Sequence, residues 1–352
     1  MDCIEYGVNN SKIYQSIYEN RSKEQVALLA KVIDNLKYHK EGQIASFIIS
    51  NEMLKIAFDK TYKHPLDENH RFPMIKYDLI PEQLLRENTC DEESFFKPRN
   101  LNDRDALLTH QKDYYDSFSS LLLTKKEIRP IGFPMSEKLV YREKKIAQGT
   151  IECAEYSIKN GISMNIAGGT HHAFKDRGEA FCMLNDQAIA ANYLLKNRLA
   201  NKILIVDLDV HQGNGTASIF SENKNVFTLS FHGEKNYPFK KEKSDLDIGF
   251  PDKTDDNFYL KKLEETLPKV IDDFEPDFIF YLAGVDVLEN DKLGRLGLTI
   301  QGCKKRDKFV LELCRKNNVP IQISMGGGYS VNIKDILEAH SNTYRLAQEI
   351  FF

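Results

Sequence analysis

No CxxC pair and no regular spacing occur among the six cysteines (Cys3, Cys90, Cys153, Cys182, Cys303 and Cys314). That argues against a structural zinc knot or a disulfide framework and suits a reducing compartment. Long apolar runs are missing as well: the longest, such as FIFYLAGV, fall far short of the roughly 20 residues of a membrane span. The N-terminus, MDCIEYGVNNSK, lacks the basic and apolar regions of a signal peptide, so the expected setting is cytoplasmic and away from the membrane. Nor is one sign of charge in excess. With 48 basic and 52 acidic residues the net charge is −4, which excludes a general polyanion binder, makes direct nucleic-acid contact unexpected and only mildly favours cationic substrates. Repeats, low-complexity tracts and Ser/Gly linkers are absent, as are the GxSxG, GxxxxGK[ST], HExxH and GxGxxG signatures.

What is present is a 352-residue chain, 41% apolar and 28% charged, as expected of a soluble globular protein of one large domain or two small ones. Short β-rich apolar runs alternate with helical patterns, which predicts an α/β fold with a mostly parallel sheet flanked by helices. Strands are expected at 54–59, 163–167, 202–209, 226–231, 277–284 and 321–326, with helices over 185–198 and 258–273. Within residues 1–52, KEQVALLAKVIDNLKYH predicts an amphipathic helix with Leu29, Val32, Ile33 and Leu36 on one face, and no chemical motif.

Ligands of open α/β sheets bind beyond the carboxyl ends of the strands, so the segments that follow the strands are informative. They read GGTHHAF, DLDVHQGNG, HGEKNYPF, AGVDV and MGGGYS. Each alone has an ordinary use: glycines and aspartates suit loops and helix caps, and a tyrosine after glycines suits packing. Together they bring His, Asp, Tyr and Gly to one edge. Asp207, Asp209 and His211 stand at alternate positions, on one side of the chain while it stays extended. Two carboxylates and an imidazole converging there call for a cation, with Asp286 as a further ligand from another strand end. Three protein ligands leave a position for water, the pattern of a catalytic ion. His171 or His172 could move its proton and Tyr329 could stabilise an oxyanion.

In this order, GGTHHAFKDRGEAFCMLND, DLDVHQGNGT, HGEKNYPF, AGVDVLENDKLGRLGLT and MGGGYS resemble the motif set of the zinc-dependent histone deacetylases. KHPLDENHRFPMIKYDLIPEQLL and IGFPMSEKLVYRE are similar to its class IV and related bacterial members. The resemblance runs from about Met53 to the C-terminus. It implies a single arginase/deacetylase-like catalytic domain over 53–352 with its active site at the C-terminal strand ends, and leaves 1–52 as an extension dispensable for chemistry.

Residue by residue, the resemblance implies zinc ligands at Asp209, His211 and Asp286. It implies a general base at His172, an electrostatic or cationic partner at His171 and the acidic partner of His171 at Asp207, which would also serve a structural K⁺ site. Asn214 stands behind His172 where class I members have aspartate, as in classes II and IV. Tyr329 matches the tyrosine that polarises the scissile carbonyl, Phe181 and Tyr237 match the walls of an acyl-lysine tunnel, and Gly327 lies in the same substrate region. Ala180 departs from a frequent glycine. The implied reaction is hydrolysis of an N-acyl amine, N6-acetyl-lysine above all, by metal-activated water, with Fe²⁺ an alternative to Zn²⁺. The implied partner is an acylated lysine in a protein or an acylated small amine. Acetylpolyamine or long-chain acyl-lysine hydrolysis stays open, as does a catalytically silent acyl-lysine binder. An arginase-type two-metal site would want a ligand where Gly213 stands.

Overall fold

The structure is a computed structural model that describes residues 53–67 and 70–352; the helix expected within 1–52 lies outside them. Its strands are β1 (Lys55–Ala57), β2 (Phe95–Phe96), β3 (Ile162–Asn165), β4 (Ile203–Asp207), β5 (Val226–Gly233), β6 (Leu246–Phe250), β7 (Phe278–Leu282) and β8 (Ile321–Ser324). The helices are α1 (Lys76–Arg86), α2 (Asp103–Ala106), α3 (Lys112–Ser119), α4 (Lys125–Ile131), α5 (Glu137–Asn160), α6 (Asp186–Lys196), α7 (Asn214–Phe220), α8 (Asp256–Phe274), α9 (Ile300–Asn317) and α10 (Ile333–Phe351).

The strands form one sheet in the order β2-β1-β3-β8-β7-β4-β5-β6, and every neighbouring pair is parallel. A parallel sheet must be covered on both faces, and its central strands are accordingly near-continuous apolar runs. ILIVD in β4 and FIFYL in β7 are buried at every residue. The covering helices begin at side-chain caps: Ser136 for α5, Asn185 for α6, Asp255 for α8, Thr299 for α9 and Asn332 for α10 each accept a backbone N–H of the first turn.

The sequence placed β1, β3, β4, β5, β7 and β8 but missed β2 and β6. β2 is two residues long, and β6 reads LDIGF, in which Asp247 and Gly249 mask the strand pattern. The expected strand at 202–209 is also too long, because β4 ends at Asp207 and the chain bends through 209–211.

The strand order positions the site. The chain leaves β3 and re-enters the sheet at β4, with β8 and β7 later filling the gap between them. The loops after all four strands therefore open into one crevice at the carboxyl edge. Beneath it, the fully buried Arg306 of α9 donates to the carbonyls of Leu208 (3.1 Å) and Gly284 (2.7 Å), tying the loop after β4 to the loop after β7. Asp307 balances that guanidinium and accepts hydrogen bonds from Tyr281 and Thr343.

Candidate metal centre and active site

Past β4 the chain is held by its own carboxylates. Asp207 Oδ1 accepts from the Asp209 N–H, Asp209 Oδ1 from the His211 N–H and Asp286 Oδ1 from the Val210 N–H, at 3.0 to 3.1 Å. The bend this imposes separates the three residues that an extended strand would have aligned. Asp207 turns to His171, with Oδ2 2.6 Å from Nδ1, while Asp209 and His211 converge with Asp286 of the loop after β7. One ligand atom from each of these last three lies within 4.8 Å of the others, and all three residues are buried.

The donor set fits a divalent cation. Asp286 Oδ2 lies 3.2 Å from His211 Nδ1, yet it accepts no hydrogen bond and stays buried. Burial first, then the charge of Asp209, pushes the Asp286 carboxyl up to about 7. Two buried carboxylates this close repel, and a cation bound between them and an imidazole removes the conflict. The close approach is possible because Gly327 has no side chain: a Cβ there would lie 2.1 Å from Asp286 Oδ2 and 2.8 Å from Asp209 Oδ2. The Gly327 N–H donates instead to Asp209 Oδ2 at 3.0 Å.

The loop after β3 brings two adjacent histidines into unlike surroundings. His171 Nδ1 faces Asp207, and although burial opposes a charged ring, the Asp207 carboxylate outweighs it and raises the His171 pKa. His172 Nδ1 faces the neutral Asn214 Oδ1 at 2.6 Å. Burial, then the neighbouring His171 and His211, hold the His172 pKa well below the ordinary value. The surroundings thus favour the cation at one member of the pair and the neutral ring at the other, with their Nε2 atoms 3.1 Å apart. Tyr329, after β8, has its phenol pushed up by burial and by Asp286 and Asp209, so it stays protonated and able to donate.

A pocket of about 630 Å³ joins these groups to solvent, reaching from the exposed Phe239 to the buried Asp209. Phe181 and Tyr237 flank it: Phe181 lies 6.2 Å from the Tyr329 ring, and Tyr237 stands edge-on to His172 at 5.0 Å. The Tyr237 hydroxyl donates to Glu179 Oε2 at 2.5 Å. Ala180 and Phe181 both adopt positive φ (43° and 67°), a conformation costly for residues with a Cβ. That is the physical reason a glycine suits position 180. The pair is held there by N–H bonds from Ala180 to Pro130 O and from Phe181 to Ile131 O.

Over residues 70–344 the chain matches the histone deacetylase domain. It belongs to the histone deacetylase family. The chain is 42% identical over 297 residues to an uncharacterised protein of Picosynechococcus sp., covering 84% of this chain and 99% of that one. It is 28% identical over 273 residues to histone deacetylase 2 of Arabidopsis thaliana, covering 75% of this chain and 70% of that protein. The crystal structure of a histone deacetylase homologue from Aquifex aeolicus matches it with a TM-score of 0.71 at 26% identity, over 83% of this chain and 82% of that one. The family assignment makes the protein a hydrolase of the deacetylase type and the fold that of the deacetylases.

Sequence reasoning missed two neighbours of this deacetylase site. Phe72 packs on Phe181 at 5.3 Å and on Tyr329 at 5.7 Å, completing the wall. Lys76 is fully buried behind Tyr329, its Nζ 5.8 Å from that ring and donating to Gly326 O at 3.2 Å. Burial lowers the Lys76 pKa to about 8, against the pull of Asp286 and Asp209. A signal existed: Lys76 shares the buried stripe of α1 with Ile80 and Leu84, where a lysine is out of place.

Proposed function

We propose that this deacetylase hydrolyses the amide of an N6-acyl-lysine side chain, acetyl-lysine first, to a free amine and a carboxylate. Zn²⁺ would be held by Asp209, His211 and Asp286, a set that suits Fe²⁺ as well. Such an ion, when bound, acidifies water and polarises the amide carbonyl. The remaining steps fall to the chain's own residues. His172, kept neutral by its buried setting, accepts the proton of the attacking water. His171, kept cationic by Asp207, offsets negative charge developing beside it. Tyr329 donates its phenol proton in a hydrogen bond to the oxyanion. The histidine pair then returns a proton to the departing amine, whose stem lies between Phe181 and Tyr237. The observation that supports this reading best is the 3.1 Å pairing of two histidines, one backed by a carboxylate and one by an amide, buried beside the Asp/His/Asp group at the end of an aromatic-walled pocket.

The test is a panel of acetyl-lysine peptide, myristoyl-lysine peptide and acetylated polyamine, assayed with Zn²⁺-loaded, Fe²⁺-loaded and chelated protein. Metal-dependent release is expected, and Tyr329→Phe should lower turnover by about 10²–10³. Near-normal turnover in that variant would remove Tyr329 from the oxyanion role. Silence across the panel, with metal bound and the fold intact, would overturn the hydrolase reading in favour of an acyl-lysine binder.

A further inference from the structure

Among the described residues that line the pocket, five are cationic, namely Arg71, Arg142, Lys235, Lys292 and Arg295, against a single carboxylate, Asp209, which belongs to the metal group. Arg142 is buried and paired with Glu143, so it belongs to the floor. The other four are exposed and line the same pocket as Phe239, which is 91% exposed and marks its mouth. They come from three separate segments, so their meeting is a product of the fold.

Among the described residues, one carboxylate pairs with them. Asp252 takes both nitrogens of the Arg295 fork (Nε 3.0 Å, Nη2 2.5 Å) and lies 3.9 Å from Lys235. Arg71 sits over the Phe181 ring at 5.1 Å, and neither it nor Lys292 makes an ion pair among the described residues. Two further carboxylates lie near and keep their charge, with their oxygens held by other groups. Glu179 is held by Arg177 and Tyr237, and Asp291 accepts the backbone N–H groups of Leu293, Gly294 and Tyr329. A chain with a net charge of −4 thus presents a positive mouth to whatever enters.

We propose that this mouth selects acyl-lysine in an acidic sequence context and discriminates against basic tails and acylated polyamines. The inference rests on the hydrolase reading above, in which the amide reaches the floor and the amine side of the substrate lies against the mouth. Charges there act across about 8–10 Å at moderate salt, enough to steer acidic flanks inward and to repel cationic ones. The local field, not the net charge of the chain, is what a substrate meets. The slight preference for cationic substrates suggested by overall composition is therefore reversed at the site.

The experiment compares three acetyl-lysine peptides that differ only in having Glu, Gln or Lys on both sides, together with N-acetylputrescine, on the Zn²⁺-loaded full chain. The expected order of kcat/KM is Glu, then Gln, then Lys, spanning about tenfold or more at low salt and shrinking as salt is raised. Arg71→Gln with Lys292→Gln should compress that span, mostly through KM. Lys269→Gln, an equal loss per site of exposed charge on α8 and outside the pocket, should leave it unchanged. A Lys-flanked peptide or acetylputrescine that equals the Glu-flanked peptide overturns the proposal, as does an undiminished span in the double variant. If no peptide is hydrolysed, the hydrolase reading fails by itself. The charge preference is then read from fluorescence anisotropy of the same peptides, labelled, on Tyr329→Phe protein, where equal or reversed binding order overturns it.

Discussion

At the floor of the pocket, Asp209, His211, Asp286, His171, His172 and Tyr329 all come from loops that directly follow the four central strands. Asp207 and Asn214 fix the two histidine rings, and backbone N–H groups hold one oxygen of Asp286 and both of Asp209. At the mouth, Arg71, Lys292 and Arg295 stand farther past the preceding strand ends and are exposed, and among the described residues only Arg295 of these three is ion-paired, to Asp252. The contrast teaches where the two kinds of specificity reside. Floor geometry is fixed by backbone N–H groups on the carboxylates, and on the proposed reading substitutions there act on chemistry. Mouth charge is set by exposed side chains, and on the proposed reading substitutions there act on partner choice.

The sharpest way to break that contrast is at Gly327. If the floor is as tightly built as the 2.1 Å Cβ approach to Asp286 indicates, Gly327→Ala should displace the carboxylate and lose bound metal. Turnover should then fall by about 10³ or more, since ion and oxyanion alignment are lost together. Metal content of the purified variant, measured beside its thermal unfolding, checks this. A folded variant with a full complement of metal would show that the floor can yield after all.

The same contrast explains what was legible in the sequence. β4, β7 and β8 announce themselves as apolar runs, and a floor built from the residues just after them inherits that clarity: DLDVH, AGVDV and MGGGYS were readable without a fold. The bend after Asp207 was not, because it depends on hydrogen bonds from backbone N–H groups to side chains up to 76 residues away, such as Val210 to Asp286. Alternation alone therefore put Asp207 with the metal ligands instead of with His171. The wall and mouth were less legible still. Phe181 and Tyr237 are named as walls only through the family resemblance, and Phe72 and Lys292 not at all: tertiary packing brings the four together, and no local period marks them.

Lys76 sharpens the comparison, since it reaches the floor from α1 and not from a strand end. Its ammonium is desolvated, donates to Gly326 O and is drawn by the charges of Asp286 and Asp209. Lys76 makes no ion pair among the described residues, and a buried ammonium without one carries a desolvation cost that an apolar side chain of similar length avoids. Lys76→Met should therefore keep or raise the unfolding temperature while turnover on acetyl-lysine peptide falls about tenfold, the cost of one charge-assisted hydrogen bond beside Tyr329. A parallel loss of stability and activity would make Lys76 a packing residue only.

The smallest expected effect is a displacement in pH at the histidine pair. His172 has a neutral amide behind Nδ1, whereas His171 has a carboxylate, and this single difference separates their protonation. Asn214→Asp would place a carboxylate behind both. An anion there favours the imidazolium and so raises the His172 pKa from its depressed position. Because the base must be neutral to accept a proton, a raised pKa keeps it protonated and out of use up to a higher pH. The acid limb of kcat/KM should therefore move upward, with the variant a few-fold slower than the parent on that limb and the gap closing as pH rises past it. A kcat/KM profile of the two proteins on one peptide decides the point. An acid limb that stays in place would mean that its titration belongs to a group other than His172, and that the unlike partners of the two histidines serve orientation alone.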